Sequence, residues 1–228
     1  PDSQFLKAAC EAGELGEIYY AKAHALRRRA VPTWGVFLDA EKQGGGPLID
    51  IGTHALDLTL WMMNNYEPES VTGSVFRKLA DQKDTANPWG DWNPEIFTVE
   101  DSAFGFIKMK NGATILLETS WALNIQAVEG VRTILCGTRA GADMEDGLRI
   151  NRVTHNKMCV EKPDLGVGGV AYFDGKQCKP RDLEQQVFYE AITEGKPLTV
   201  LPEQALAVTQ ILEAVYESAR QNKTVYFD

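Results

Sequence analysis

An α+β fold is predicted from this sequence: a large, open, predominantly antiparallel β-sheet with helices packed on one face. Three observations carry the prediction. Strand-like segments outnumber helical ones along the 228 residues. Several strands are separated only by a short turn, which antiparallel neighbours permit and parallel ones do not. The helical segments carry apolar stripes that a sheet face would cover. The sequence shows no internal repeat and no low-complexity stretch.

Taken in order, residues 3–12 read as a short helix with Phe5, Leu6, Ala8 and Ala9 as apolar positions, stopped by Gly13 and Gly16. Ile18 to Arg28 reads as a strand, because Ile18, Tyr20, His24 and Leu26 alternate with Tyr19, Ala21, Ala23 and Ala25. Pro32 to Asp39 is an irregular loop containing Trp34. A single helix follows from Pro47 to Met63, with proline suited to a first turn whose N–H needs no partner. Leu48, Ile51, Ala55, Leu58 and Met62 form its apolar stripe.

Val71 to Arg77 is a strand, and 81–95, with Pro88, Trp89, Trp92 and Pro94, is a loop. Val99 to Leu123 reads as a hairpin closed by a type I′ turn at Asn111-Gly112. Further strands are expected at Val131–Cys136, Leu148–Val153 and Lys157–Glu161, helices at Arg181–Glu194 and Pro202–Gln221, and a last strand at Thr224–Phe227. In strand 103–109 one row is Ala103, Gly105, Ile107 and Met109, and the other contains Phe104 and Phe106. Both rows are too apolar for free exposure, which predicts self-association through the open sheet face.

The net charge of −9 argues against nucleic acid and anionic membranes as partners. No stretch approaches the 18 apolar residues of a membrane span. Cys10, Cys136, Cys159 and Cys178 show neither C-x-x-C pairing nor zinc spacing, so they read as reduced thiols of a cytoplasmic protein.

Chemistry concentrates in residues 44–57, Gly-Gly-Gly-Pro-Leu-Ile-Asp-Ile-Gly-Thr-His-Ala-Leu-Asp. On an α-helix Asp50 and His54 share a face, with Cβ atoms about 5–6 Å apart. A carboxylate beside an imidazole is a proton-handling pair, since histidine as a residue type titrates near neutral pH. Asp57 either ties His54 to its surroundings or is structural. A metal site built on these three side chains lacks further ligands, and the spacing recruits neither His24 nor His155. Trp34, Arg29 and Asn124 are candidate substrate-binding residues, with Trp121 as a further pocket residue. Strand alternation places Arg27 and Arg29 on one face and Arg28 on the other. The loop of Trp89 and Trp92 either covers a substrate or seals a subunit contact.

The 44–57 stretch resembles the G-G-G-x-L-x-D-x-G-x-H-x-x-D signature of the Gfo/Idh/MocA family of nicotinamide-dependent sugar oxidoreductases, with all three glycines, Asp50, Gly52, His54 and Asp57 in register. Gly13-Glu14-Leu15-Gly16-Glu17-Ile18 is similar to the family's entry into its C-terminal domain, and the hairpin at Asn111-Gly112 and the loop Gly137–Gly141 are weaker matches. The resemblance implies that residues 1–12 are the remnant of a connection from a Rossmann domain and that 13–228 form the substrate-binding and oligomerisation domain. It implies hydride transfer between NAD or NADP and a sugar, cyclitol or related polyol, with His54 as proton donor or acceptor and Asp50 assisting.

No G-x-G-x-x-G follows a strand, so no cofactor is expected to bind this chain alone, and the chain alone is expected to be inactive. Glu161-Lys162-Pro163 copies a family tripeptide but lies downstream of the signature rather than upstream, and reads as a solvated strand end. The alternative reading is a non-catalytic, sheet-mediated binding or assembly module of the same fold.

Overall fold

The computed structural model describes residues 2–126, 129–165 and 180–228. Its strands are β1 (Ile18–Leu26), β2 (Pro68–Phe76), β3 (Ser102–Met109), β4 (Thr114–Ser120), β5 (Glu129–Gly137), β6 (Ala140–Asp143), β7 (Arg149–Thr154), β8 (Lys157–Glu161) and β9 (Val225–Tyr226). Its helices are α1 (Asp2–Glu11), α2 (Ala40–Gln43), α3 (Thr53–Met63), α4 (Pro180–Glu194) and α5 (Pro202–Gln221). The described strands form one open sheet in the order β8-β7-β6-β5-β1-β4-β3-β2-β9. All pairings are antiparallel except that of β1 with β4, so the α+β architecture stands as the sequence predicts.

Helices α3 and α5 cover the same face of the sheet. Small residues make this approach possible: a Cβ on Gly73 would meet the Val215 carbonyl oxygen at 2.6 Å, and the Gly73 N–H donates to Ser218 Oγ at 2.9 Å. The α3 side is tied by Thr59 Oγ1, which donates to Thr133 Oγ1 of β5 at 2.9 Å. Between helices and sheet lie Leu56, Leu60, Met62, Ile107, Ile115, Leu117, Ile211 and Val215, all buried. Helix α1 contributes Leu6 and Ala9 to this core. Among the described residues no helix is long and apolar enough to cross a membrane.

Two local readings need correction. The predicted single helix from Pro47 is a π-helical turn, Leu48–Gly52, that leads into α3. The Pro47 carbonyl accepts Thr119 Oγ1–H at 2.8 Å, and Gly52 lies close enough that an added Cβ would sit 3.2 Å from Thr119 Cγ2. The Pro47 carbonyl thus takes a partner from β4 where the wider turn begins, and the turn packs closely against that strand.

The hairpin turn at Asn111-Gly112 is not type I′, which needs positive φ at both residues. Only Gly112 has it, at 88°, and its N–H donates to the Met109 carbonyl at 2.8 Å. This is a type I turn followed by a left-handed glycine, and Asn111 instead accepts the Ala113 N–H with its side chain, at 3.1 Å. The left-handed pair occurs between β7 and β8, at His155 (φ 49°) and Asn156 (φ 58°).

Two short elements, α2 and β6, also escape the sequence reading. Helix α2 is nonetheless bounded by legible signals: Asp39 Oδ1 accepts the Glu41 N–H at 3.0 Å, and Gly44 closes the turn at φ 90°.

Candidate functional site

The glycine run is shaped by protein atoms. A Cβ on Gly45 would lie 2.2 Å from Tyr216 Oη, and one on Gly46 would lie 2.2 Å from the Glu100 carbonyl oxygen. Glu100, 6% exposed, turns its carboxylate back onto this loop. Its Oε2 accepts the Gly46 N–H at 2.8 Å, and its Oε1 accepts the Leu48 N–H at 3.1 Å and Tyr216 Oη–H at 2.8 Å. Burial pushes the Glu100 carboxyl above its usual range, against the pull of these three donors. Tyr216 is pushed up as well, by burial first and then by Glu100.

These amides already have a carboxylate partner, so the loop does not fit a dinucleotide pyrophosphate. Its work is to start the π-helical turn in a fixed position. Gly46→Ala is therefore expected to destabilise the domain by about 1–3 kcal/mol, read as a lower denaturation midpoint; an unchanged midpoint would show that the contact relaxes freely.

Asp50 is half-buried on the turn so positioned. Its partner is Trp121, fully buried just past β4, whose Nε1–H donates to Asp50 Oδ2 at 2.8 Å. Asp50 and His54 share no hydrogen bond. Arg27 also faces Asp50: burial lowers its pKa, and the Asp50 charge opposes that fall. The Arg27 guanidinium donates to the Ala30 carbonyl at 3.1 Å and lies 5.5 Å from the centre of the Trp89 ring.

His54 is exposed at the start of α3. Asp57 feels its presence: the Asp57 carboxyl is pushed up by burial first and pulled down by His54. Behind Asp57, the Tyr66 hydroxyl is pushed up to about 12, by burial first and then by Asp57. Asp57 is thus the carboxylate electrostatically linked to His54, while Asp50 is held from the opposite side by Trp121.

The expected grouping of the arginines is overturned. Once β1 ends at Leu26 the alternation stops, and Arg28 and Arg29 line one cavity of about 370 Å³ with Ala86, Asn124, Ile125 and Gln126. Arg27 stands apart from them, beside Asp50. Arg29 Nη2 donates to Asn124 Oδ1 at 2.6 Å, which brings two candidate substrate residues together. Its other donors go to the carbonyls of Thr85 at 3.1 Å, Leu123 at 3.0 Å and Arg28 at 2.6 Å, so Arg29 also braces the loops around it.

Trp34 is exposed and meets Trp89 edge-on, with ring centres 5.0 Å apart. From Trp34 the aromatic contacts run through Phe37 (6.0 Å) to Trp121 (6.3 Å) and so to Asp50. Trp92 is buried and donates Nε1–H to the Ala80 carbonyl at 2.9 Å, which makes it a brace for this loop while Trp89 faces outward.

Sequence reasoning missed Glu100 entirely, since nothing near it in the chain marks it as a cap for a loop 54 positions away. Arg27 and Trp89 were visible only as members of a charge run and an aromatic loop. His155 sits in the β7–β8 turn, and Glu161-Lys162-Pro163 ends β8 at the sheet edge, exposed at Lys162. Among the described residues no cluster of three or more His, Cys, Asp or Glu side chains is placed to hold a metal ion. Cys10, Cys136 and Cys159 are free thiols, while Cys178 lies outside the described residues.

Comparison with known proteins adds four findings. Residues 7–227 match the family described as "Oxidoreductase family, C-terminal alpha/beta domain". The chain is 35% identical over 225 residues to a D-glucoside 3-dehydrogenase of Escherichia coli, covering 98% of this chain and 61% of that protein. Among solved structures it resembles an aldose-aldose oxidoreductase from Caulobacter crescentus complexed with glycerol, with TM-score 0.74 at 17% identity, over 99% of this chain and 60% of the other. A levoglucosan dehydrogenase complexed with NADH and L-sorbose gives TM-score 0.74 at 20% identity, over 98% and 62%. The chain therefore spans about three fifths of the length of each of these three proteins.

Proposed function

Since this chain belongs to the Gfo/Idh/MocA oxidoreductases as their C-terminal α/β domain, we propose that it forms the substrate side of an NAD- or NADP-dependent dehydrogenase acting on a sugar, cyclitol or related polyol. The observation that carries this reading is Asp50: a half-buried carboxylate, fixed by Trp121 at 2.8 Å, beside Arg27 and four residues before an exposed histidine.

A substrate hydroxyl gives its proton to the His54 imidazole as the carbon–hydrogen bond breaks, and receives it from His54 in the reverse direction. Asp50 accepts a hydrogen bond from a neighbouring hydroxyl with the lone pairs that Trp121 leaves free, and Arg27 donates to substrate oxygens. Arg29 with Asn124 marks the outer limit of the sugar pocket, and Trp34 offers an apolar wall beyond the reacting sugar. The nicotinamide, which accepts or returns the hydride, would be held by polypeptide outside this chain, because the glycine loop here is committed to Glu100. The reading is tested by following nicotinamide reduction with D-glucose and its glycosides in the enzyme that carries this chain. No turnover of any polyol, or full turnover without His54, would sink it.

We also propose self-association through the open face of the sheet. Opposite the helices, Thr72, Phe106, Leu116, Lys22 and Ile134 lie in one cross-strand row. Phe106 is 47% exposed there. Phe106→Glu is expected to convert the oligomer to a smaller species in sedimentation velocity, and an unchanged sedimentation coefficient would exclude this face as the contact. The free thiols support a reducing compartment, the cytoplasm.

A further inference from the structure

Two tryptophans stand at the surface where the fold gives them no core to fill. Trp34 is 52% exposed and Trp89 44%, their rings nearly perpendicular at 70°. Large aromatic side chains are normally withdrawn from water, and here two loops are fastened together to present them. The Asn87 side chain accepts the Val31 N–H at 2.9 Å and donates to the carbonyls of Val31 at 3.0 Å and Gly90 at 2.8 Å. Thr33 Oγ1 donates to the Trp89 carbonyl at 2.7 Å. Trp89 is reached through Ala86 at φ 50° and left through Gly90 at φ 89°. A non-glycine residue in the left-handed region is a strained position that surrounding structure must enforce. The corner is braced, and it is continuous with the polar site: Trp34 packs on Phe37 and Phe37 on Trp121, whose Nε1–H holds Asp50, while the Arg27 guanidinium lies 5.5 Å from the centre of the Trp89 ring.

We propose that Trp34 and Trp89 form a second subsite, which takes the aglycone ring of a glycoside whose reacting sugar is held at Asp50 and His54. This rests on the reading of Asp50 and His54 given above. A sugar hydrogen-bonded to Asp50 already occupies the near side of Arg27, so the tryptophans lie one ring further out. The apolar face of a pyranose or an aryl ring presents C–H groups or a π-surface that pack against indole. Arg27, stacked over Trp89, offers guanidinium donors to the oxygen atoms between the two rings. The occupant is thus a glycoside in preference to a free monosaccharide, and the shelf adds affinity that only the larger substrate uses.

The experiment compares kcat/KM for phenyl β-D-glucoside with that for D-glucose in the intact enzyme, in wild type, Trp34→Ala, Trp89→Ala and Trp34→Phe. The ratio is expected to fall about tenfold in each alanine variant and to be largely retained in Trp34→Phe, which keeps an aromatic face. Quenching of tryptophan fluorescence by phenyl β-D-glucoside, absent with glucose, is expected in wild type and lost in the double alanine variant. A ratio unchanged within about twofold, or equal losses on both substrates, overturns the subsite. If the glucoside quenches fluorescence while no sugar is oxidised, the assignment of Asp50 and His54 has failed and the shelf is supported. If sugars are oxidised with no preference and no quenching, the shelf has failed and the catalytic reading stands.

Discussion

Replacing His54 by alanine in the intact enzyme is expected to lower kcat by about 10²–10⁴-fold, the usual range for losing a positioned acid–base group. The melting temperature is expected to stay within about 2 °C of wild type. Both halves follow from its place in the structure. The side chain is exposed, makes no hydrogen bond among the described residues, and lies in the first turn of a helix in which alanine is the better helix former. Removing it leaves no cavity and no stranded buried donor. KM is expected to change less than kcat, because the polar contacts assigned to sugar recognition come from Asp50 and Arg27. Near-normal kcat would remove His54 from the mechanism; a large fall in melting temperature would show that its role is structural.

Glu100→Ala is expected to act in the opposite way, with the main loss in stability. The substitution strands the Gly46 and Leu48 N–H groups and the Tyr216 hydroxyl, all of which now converge on one buried carboxylate. Each unsatisfied buried group costs about 1–3 kcal/mol, partly offset because a buried charge disappears. A net loss of about 2–4 kcal/mol corresponds to roughly 5–15 °C in a domain of this size, read by circular dichroism.

The same residue predicts a pH dependence. Its folded pKa is raised by burial, so the native state holds the proton more tightly than the unfolded chain. Its contribution is then fully present below the unfolded value, about 4.3, and declines as pH rises through the folded value. The stability gap between wild type and Glu100→Ala should therefore narrow on going from pH 5 to pH 7. A gap that widens over that interval would mean that the three donors outweigh burial.

The two variants separate what the sequence displays from what it conceals. His54 and Asp50 were legible because a local signature places them four residues apart, and most strands were legible because alternation marks a half-buried face. Partners that come from remote segments were not. Nothing around Glu100 announces that it caps the glycine run, and nothing around Trp121 announces a bond to Asp50 across 71 positions. The helix expected from Pro47 opens instead with a π-helical turn, where Thr119 on another strand donates to the Pro47 carbonyl. The arginine run was misgrouped because strand alternation was carried past Leu26, where the strand ends. The turn at Asn111-Gly112 was placed correctly and given the wrong geometry, since a three-residue loop places only its glycine in the left-handed region.

The position of β1 has a consequence for how the chain reaches this state. It precedes the other described strands of this sheet in the chain, yet it lies in the interior of the sheet, with Tyr20 paired to Thr114 on one side and to Cys136 on the other. During synthesis from the N-terminal end, both of its edges stay open until the second half of the domain emerges. Such late, long-range closure slows folding and exposes a strand edge to other nascent chains. The sheet centre thus closes only after β4 and β5 have been made, and growth temperature or chaperone supply should govern soluble yield more than any residue of the candidate site.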